Sequence, residues 1–259
     1  MEAAPPTIGS PSPALKLFAA AGLALALAVV LAWHDWLPGG YRLRSQFESD
    51  TARSLRATEL HAFQRLEEFA ESNPAAPRGA TLFLGSSTIE RFPLEECFPG
   101  KPCLDRGINN ADLRLLHAVL AEVLPRQKLR AAVIYAGSPD LHAGRPVEEI
   151  LLGMRQLVQR LRLSEGINLP IALIGVMPAR ETTPERAGEL RALDRGLMEL
   201  TRDLNLSYVP TLRPPLVDSE LRLNAAISID DRHLSPAGYS ILARWLIEEG
   251  GEAGRGLAP

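Results

Sequence analysis

Apolar residues along this chain fall into two patterns: short unbroken runs, and longer stretches in which they return every three or four positions. The apolar runs at 80–85, 131–136 and 169–176, and the shorter, interrupted segments at 103–106 and 206–209, predict strands. Helical spacing between them predicts helices at 111–123, 146–163, 184–205 and 235–249. An earlier helix is expected from about Asp50 to Ser72, where Leu55, Leu60, Phe63, Leu66 and Phe69 recur at helical intervals and Asn73-Pro74 ends the pattern. Strands alternating with helices in this way predict a central parallel sheet of about five strands covered on both faces, a three-layer α/β/α sandwich.

The N-terminal end breaks the alternation. Residues 1–15 are rich in Pro, Ala and Ser and are expected to be disordered. Leu17 to Trp33 carry no charge. At about 1.5 Å per residue this run nearly matches a hydrocarbon core of about 30 Å, with Lys16 snorkelling at one side and Trp33 and Trp36 at the other. It predicts an uncleaved transmembrane anchor over 16–36; the rival reading is a signal peptide cleaved after Val30-Leu31-Ala32. A juxtamembrane linker over 37–57 then leads to a globular domain over 58–249 and a disordered tail over 250–259. Lys16 favours a cytoplasmic amino terminus, while Arg42 and Arg44 pull the other way.

Composition narrows the partners. With 28 Lys and Arg against 31 Asp and Glu, a formal net charge of −3 and no basic stripe interleaved with aromatics, the chain does not suit nucleic acid. Its Arg-, Ala-, Leu- and Pro-rich usage suits a high-GC bacterial source. Cys97 and Cys103 bracket Phe98-Pro99-Gly100-Lys101-Pro102, a turn that brings a disulfide within reach and, with it, a location outside the cytosol; the alternative is two unrelated, partly buried thiols. Two cysteines with no nearby histidine cannot complete a tetrahedral set, so no metal is expected, and no cofactor is implied. His61 and His117 fall within helical patterns as surface or packing residues, and His34 falls at the membrane interface.

Two distant segments carry nucleophilic chemistry. The run Thr81-Leu82-Phe83-Leu84 stops at Gly85, where the backbone can turn sharply, and places Ser87 at the carboxyl end of a strand, the edge on which open α/β sheets build their sites. Near the other end, Asp230 precedes His233 by three positions, so one loop can hold a carboxylate against one imidazole nitrogen while the other nitrogen faces the serine. Ser235-Pro236 follows as an N-cap and first-turn proline, anchoring that loop to the last helix.

The segments Leu82 to Ile89, Asp105 to Ile108, Val133 to Asp140 and Asp230 to Tyr239, in this order, resemble the four blocks of the SGNH, or GDSL-type, hydrolases over about residues 58–249. The resemblance implies a flavodoxin-like strand order, with Ser87 as nucleophile, Ser86 standing where aspartate is usual, and Asp230 and His233 as its helpers. It implies an oxyanion hole formed by the Ser87 and Gly107 N–H groups and a third-block asparagine. This chain departs there: Gly137-Ser138-Pro139-Asp140 stands in place of Gly-x-Asn-Asp, and proline has no side-chain donor. Asn109 or Asn110 could supply the missing amide, with Ser138 a weaker candidate; alternatively, the two asparagines only shape a loop and cap the following helix. Ser86, Ser138 and His142 are candidates for lining the substrate pocket.

The expectation is a membrane-anchored serine ester hydrolase in the envelope of a bacterium, single-pass in the inner membrane with a periplasmic catalytic domain. Its substrates would be ester-containing small molecules, lipids or acylated glycans. The alternatives are a catalytically weak module binding an envelope glycan or protein, and an acyl-transfer component of an envelope polysaccharide system.

Overall fold

The computed structural model describes residues 27–31 and 50–259. Most of the predicted anchor, the predicted disordered start and much of the linker lie outside the described residues. Among the described residues, no helix is long and apolar enough to cross a membrane. Thr58–Pro259 form one compact unit, within which five strands make one parallel sheet. The strands are β1 (Thr81–Gly85), β2 (Cys103–Gly107), β3 (Ala131–Tyr135), β4 (Ile171–Ile174) and β5 (Ser207–Val209). Their spatial order is β2-β1-β3-β4-β5, the flavodoxin-like order.

The helices are α1 (Asp50–Ser72), α2 (Ser87–Glu90), α3 (Leu94–Cys97), α4 (Leu113–Ala118), α5 (Leu120–Val123), α6 (Ser138–His142), α7 (Val147–Glu165), α8 (Pro184–Leu204), α9 (Pro236–Glu249) and α10 (Gly251–Arg255). Successive strand residues point to opposite faces. Leu82, Leu84, Ala132, Ile134 and Leu173 therefore join Phe69, Leu116, Leu157 and Leu193 in one core, under α1, α4, α7 and α8. Phe83, Val133, Tyr135, Ala172 and Ile174 join Ile89, Phe92, Phe98 and Leu246 in the other, under α2, α3 and α9. Both faces are covered, which is why the inner strands β1, β3 and β4 read as apolar runs.

Three expectations need correction. The helix expected at 111–123 is two short helices, capped by Asp112 through Leu115 N–H and broken at Val119. The tail expected to be disordered instead forms α10, because Ala253 and Leu257 bury themselves in the second core. On α1, Leu60 and Phe63 face outward at 58% and 59% exposure, while Ala62 and Phe69 are buried. The inward stripe is set by packing against β2, where the buried Arg106 guanidinium lies 4.7 Å over the Phe69 ring. Arg106 donates to Val123 O, Asp105 O, Asn73 Oδ1 and Ser72 Oγ, tying the end of α1 to β2 and α5.

Candidate active site

Ser87 is the first residue of α2, directly after β1 and Ser86. The strand ends on glycine because a Cβ at Gly85 would lie 2.0 Å from Tyr135 O. The following residue, Ser86, is buried; its carbonyl accepts from the Ile89 and Glu90 N–H groups and so holds the tight turn that presents Ser87. Ser87 Oγ lies 3.0 Å from His233 Nε2. His233 Nδ1 lies 2.9 and 2.8 Å from the two Asp230 carboxylate oxygens. An ionised carboxylate only accepts, so the neutral imidazole carries its proton on Nδ1 and offers Nε2 as acceptor to the serine hydroxyl.

Asp230 Oδ1 also accepts from the Arg232 and His233 backbone N–H groups, each at 2.9 Å. Burial works against ionisation of Asp230, but these amides and the imidazole outweigh it and hold its carboxyl down at about 2. The loop itself is braced from outside. Arg180, beyond β4, donates through Nε to Ser228 Oγ and through its guanidinium to Ser228 O, while its N–H reaches Asp231 O at 2.8 Å. Sequence reasoning missed Arg180; its position past the carboxyl end of a strand was the available signal. Ser235 caps α9 through Gly238 N–H as expected from Ser235-Pro236.

The second block is placed beside α2 but differs from expectation. Gly107 N–H donates to Asp105 Oδ1 at 2.8 Å and is not free for an oxyanion. Its need for glycine is steric: a Cβ there would lie 2.1 Å from the Glu90 backbone nitrogen. Ile108 N–H goes to Gly85 O, and Asn109 N–H goes to the Glu90 carboxylate. Asn110, at φ 59°, follows in the left-handed region, and its N–H has no partner among the described residues. The helix cap is Asp112 rather than either asparagine.

In the third block, Gly137 at φ 93° precedes α6, and Pro139 sits in the first turn of that helix, where a missing N–H costs nothing. The buried Tyr135 hydroxyl accepts from Met177 N–H at 3.3 Å, and burial pushes its ionisation up. Asp140 is buried and accepts from Leu113 N–H and Arg145, linking α6 to α4. Its carboxyl is raised by burial, against the pull of those two donors. His142 is exposed at the end of α6 with Nε2 2.9 Å from the Arg232 guanidinium. Partial burial, then Arg232 and Arg186, press its ionisation down.

Cys97 and Cys103 are free thiols, contrary to the disulfide expectation. Both pack partly buried against the Phe98 core, and burial raises both, Cys103 to about 11. His61 binds Glu90, and His117 binds Gly153 O. Among the described residues, no group of His, Cys, Asp or Glu is arranged to hold a metal ion. Two surface clefts, one lined by Pro93, Cys97, Pro236 and Ser240 and the other by Ile167 and Asn205, include no residue of the Ser87–His233–Asp230 set.

Residues 94–241 match the GDSL-like Lipase/Acylhydrolase family. The chain belongs to that family. The matched span contains the Asp230–His233 loop and starts after Ser87. GDSL acylhydrolases act on ester bonds, so ester hydrolysis is the activity class of the family this chain joins. Among solved structures, the fold is similar to a Streptococcus pneumonia protein provisionally described as a platelet activating factor, at 22% identity and a TM-score of 0.69 over 78% of this chain and 99% of that one. It is also similar to a GDSL-like lipase from Bacteroides thetaiotaomicron, at 18% identity and a TM-score of 0.59 over 71% and 95%. The acetyl xylan esterase AlAXEase follows at 14% identity and 0.53 over 65% and 98%. No curated protein matches the sequence.

Proposed function

We propose that this GDSL-family protein is a serine ester hydrolase of the bacterial envelope in which Ser87 is the nucleophile. The 3.0 Å approach of His233 Nε2 to Ser87 Oγ, with Asp230 on the opposite nitrogen, carries the reading. Ser87 Oγ attacks the ester carbonyl as His233 takes its proton, and the imidazolium then protonates the leaving alcohol. Water enters by the same route in reverse, with His233 as base, and frees the acid and Ser87. Asp230, ionised at any neutral or mildly acidic pH, keeps the imidazole in the required tautomer and stabilises its cation.

The oxyanion would be held by the Ser87 N–H, which opens a helix and has no intrahelical acceptor, and by the Asn110 N–H. Asp230 is about half exposed, so the site opens to the surface and suits an ester carried on a larger molecule, such as an O-acetylated glycan. AlAXEase, an acetyl xylan esterase of similar fold, makes acetylated carbohydrate the first substrate class to try. In this reading, the apolar run 17–33 anchors the chain in the inner membrane with the catalytic domain in the periplasm.

A second reading, a catalytically weak binding module, draws on Pro139 and on the engaged Gly107 N–H, which remove two expected oxyanion donors. Labelling with a fluorophosphonate probe, together with turnover of p-nitrophenyl esters of increasing chain length and of acetylated xylan, separates the two. Labelling at Ser87 with turnover supports the hydrolase; no labelling and no turnover supports the binding module.

A further inference from the structure

We propose that Glu90 is a positioning residue for ester hydrolysis: its carboxylate fixes the 107–110 segment against the nucleophile's own turn. The inference rests on the serine hydrolase reading above. Glu90 is the last residue of α2, three positions after Ser87, so it moves with the nucleophile as one rigid turn. Its Oε2 accepts the Asn109 N–H, and both its oxygens lie close to His61 Nε2, at 2.9 and 3.0 Å. Its backbone is the surface against which Gly107 packs with no room for a Cβ. Two positions of one short segment are thus clamped to the serine's turn, one by contact and one by a charge-assisted hydrogen bond.

What the clamp aims is the next amide. Ala111 N–H closes a turn onto Ile108 O at 3.0 Å, and Ile108 N–H is held by Gly85 O. With Asn109 N–H on Glu90, every amide around Asn110 from Ile108 to Ala111 is committed, and the Asn110 N–H is left with its direction fixed. A donor stabilises an oxyanion only if it lies at about 2.7–3.1 Å from where that oxygen forms, so a turn free to swing forfeits most of its contribution.

The carboxylate is itself oriented from α1. His61 grips it, and one helical turn later Arg65 donates to Gly107 O at 3.0 Å and to Asp105 Oδ2 at 2.9 Å, while Asp105 Oδ1 takes the Gly107 N–H. His61 and Arg65, one turn apart on α1, therefore brace the segment together, and a histidine that pattern reading assigns to surface or packing has a place in the catalytic geometry.

The test is steady-state ester kinetics on Glu90→Ala, Glu90→Asp and Glu90→Gln, with active serines counted by fluorophosphonate titration and thermal melting measured alongside. Per titrated serine, Glu90→Ala should lower kcat about 10-fold or more, up to the roughly 10²- to 10³-fold that loss of a whole donor costs, and leave KM within about threefold. Glu90→Asp keeps the charge but withdraws it by one methylene and should fall as Glu90→Ala does. Glu90→Gln keeps an acceptor oxygen for Asn109 N–H and should recover most of the loss. A merely structural role would lower the number of active serines and the melting temperature but not kcat per serine. Unchanged per-serine kcat in Glu90→Asp, or equal loss in Glu90→Gln and Glu90→Ala, overturns the inference. If Ser87→Ala turned over esters as the unaltered protein does, the serine mechanism itself would fall and this role with it. Loss in Ser87→Ala beside unchanged Glu90 variants would sink the positioning role alone.

Discussion

Replacing Gly107 with alanine keeps the backbone N–H and adds one methyl, so it separates a donor role from a packing role. The added Cβ would lie 2.1 Å from Glu90 N, 2.5 Å from its Cα and 2.8 Å from its Cβ. Ordinary non-bonded contact is about 3.5 Å, so the turn carrying Ser87 must retreat from β2 by roughly 1.4 Å. Backbone stands in the way on the closest side, and no flexible side-chain end can yield instead. Overpacking of this kind costs about 1–3 kcal/mol, and for a domain of this size each kcal/mol lowers Tm by about 2–4 °C. A retreat of that size also breaks the 3.0 Å contact between Ser87 and His233, and a misplacement of about 1 Å costs roughly 100-fold in turnover. Gly188, on α8 with open space around its Cα, is the control: Gly188→Ala should gain about 0.5–1 kcal/mol through its helix preference. Thermal melting and p-nitrophenyl ester kinetics read both effects. Gly107→Ala that melts within a degree of the parent and keeps its kcat would refute the steric account of this glycine.

Ser87→Ala should abolish ester cleavage and probe labelling with little change in melting, whereas Ser86→Ala should keep the larger share of activity; the reverse ranking would move the nucleophile to Ser86. Pro139→Asn places an amide in the first turn of α6 and should raise turnover by at most about 10²- to 10³-fold, and unchanged turnover would mean that the hole has no vacancy on the third-block side. Asp230 has its carboxyl depressed to about 2 from an ordinary 3.8, so its contribution to stability is complete above the ordinary value and is lost as pH falls through about 2. Denaturant melts of the parent and of Asp230→Asn should therefore diverge as pH rises from 2 to 4 and run parallel above, and a constant gap across that window would contradict the assignment.

The inner strands β1, β3 and β4 were legible because each is buried on both faces, so their apolar residues are contiguous and cannot be mistaken for an amphipathic helix, whereas the edge strands β2 and β5 are only partly buried and carry polar residues. Strand order was legible only through the block order of the resemblance, since five parallel strands read alike. The helices at α7, α8 and α9 are long enough for their spacing to show, and Ser235 and Asn205 mark their ends as a cap and a left-handed stop. The turns α2 and α6 have four and five residues, less than two periods of any helical pattern, and these are the pieces that present Ser87, Glu90 and Pro139. Ser87, Asp230 and His233 could be named from chemistry, and the structure brings them together. The supports could not: Glu90, His61 and Arg180 act through partners 19 to 48 positions away in sequence, a separation at which no local spacing rule operates. Gly107 has a steric requirement that sequence alone does not reveal, because a glycine needed for space looks the same in sequence as one needed for its amide.

Arg106 has a further consequence for the chain's tolerance of trimming. Its guanidinium stays protonated at any physiological pH and is 4% exposed, yet its hydrogen bonds all go to neutral oxygens, two of them on Ser72 and Asn73 at the end of α1. With no carboxylate partner in those bonds, added salt has little to screen at Arg106 itself, in contrast to the Arg65–Asp105 ion pair that crosses the same seam between α1 and β2. Cutting α1 and its end away would do more than uncover Phe69: it would leave a permanent cation in the core short of two of its four acceptors. The edge strand would then have to open to water at Arg106, directly beside Gly107.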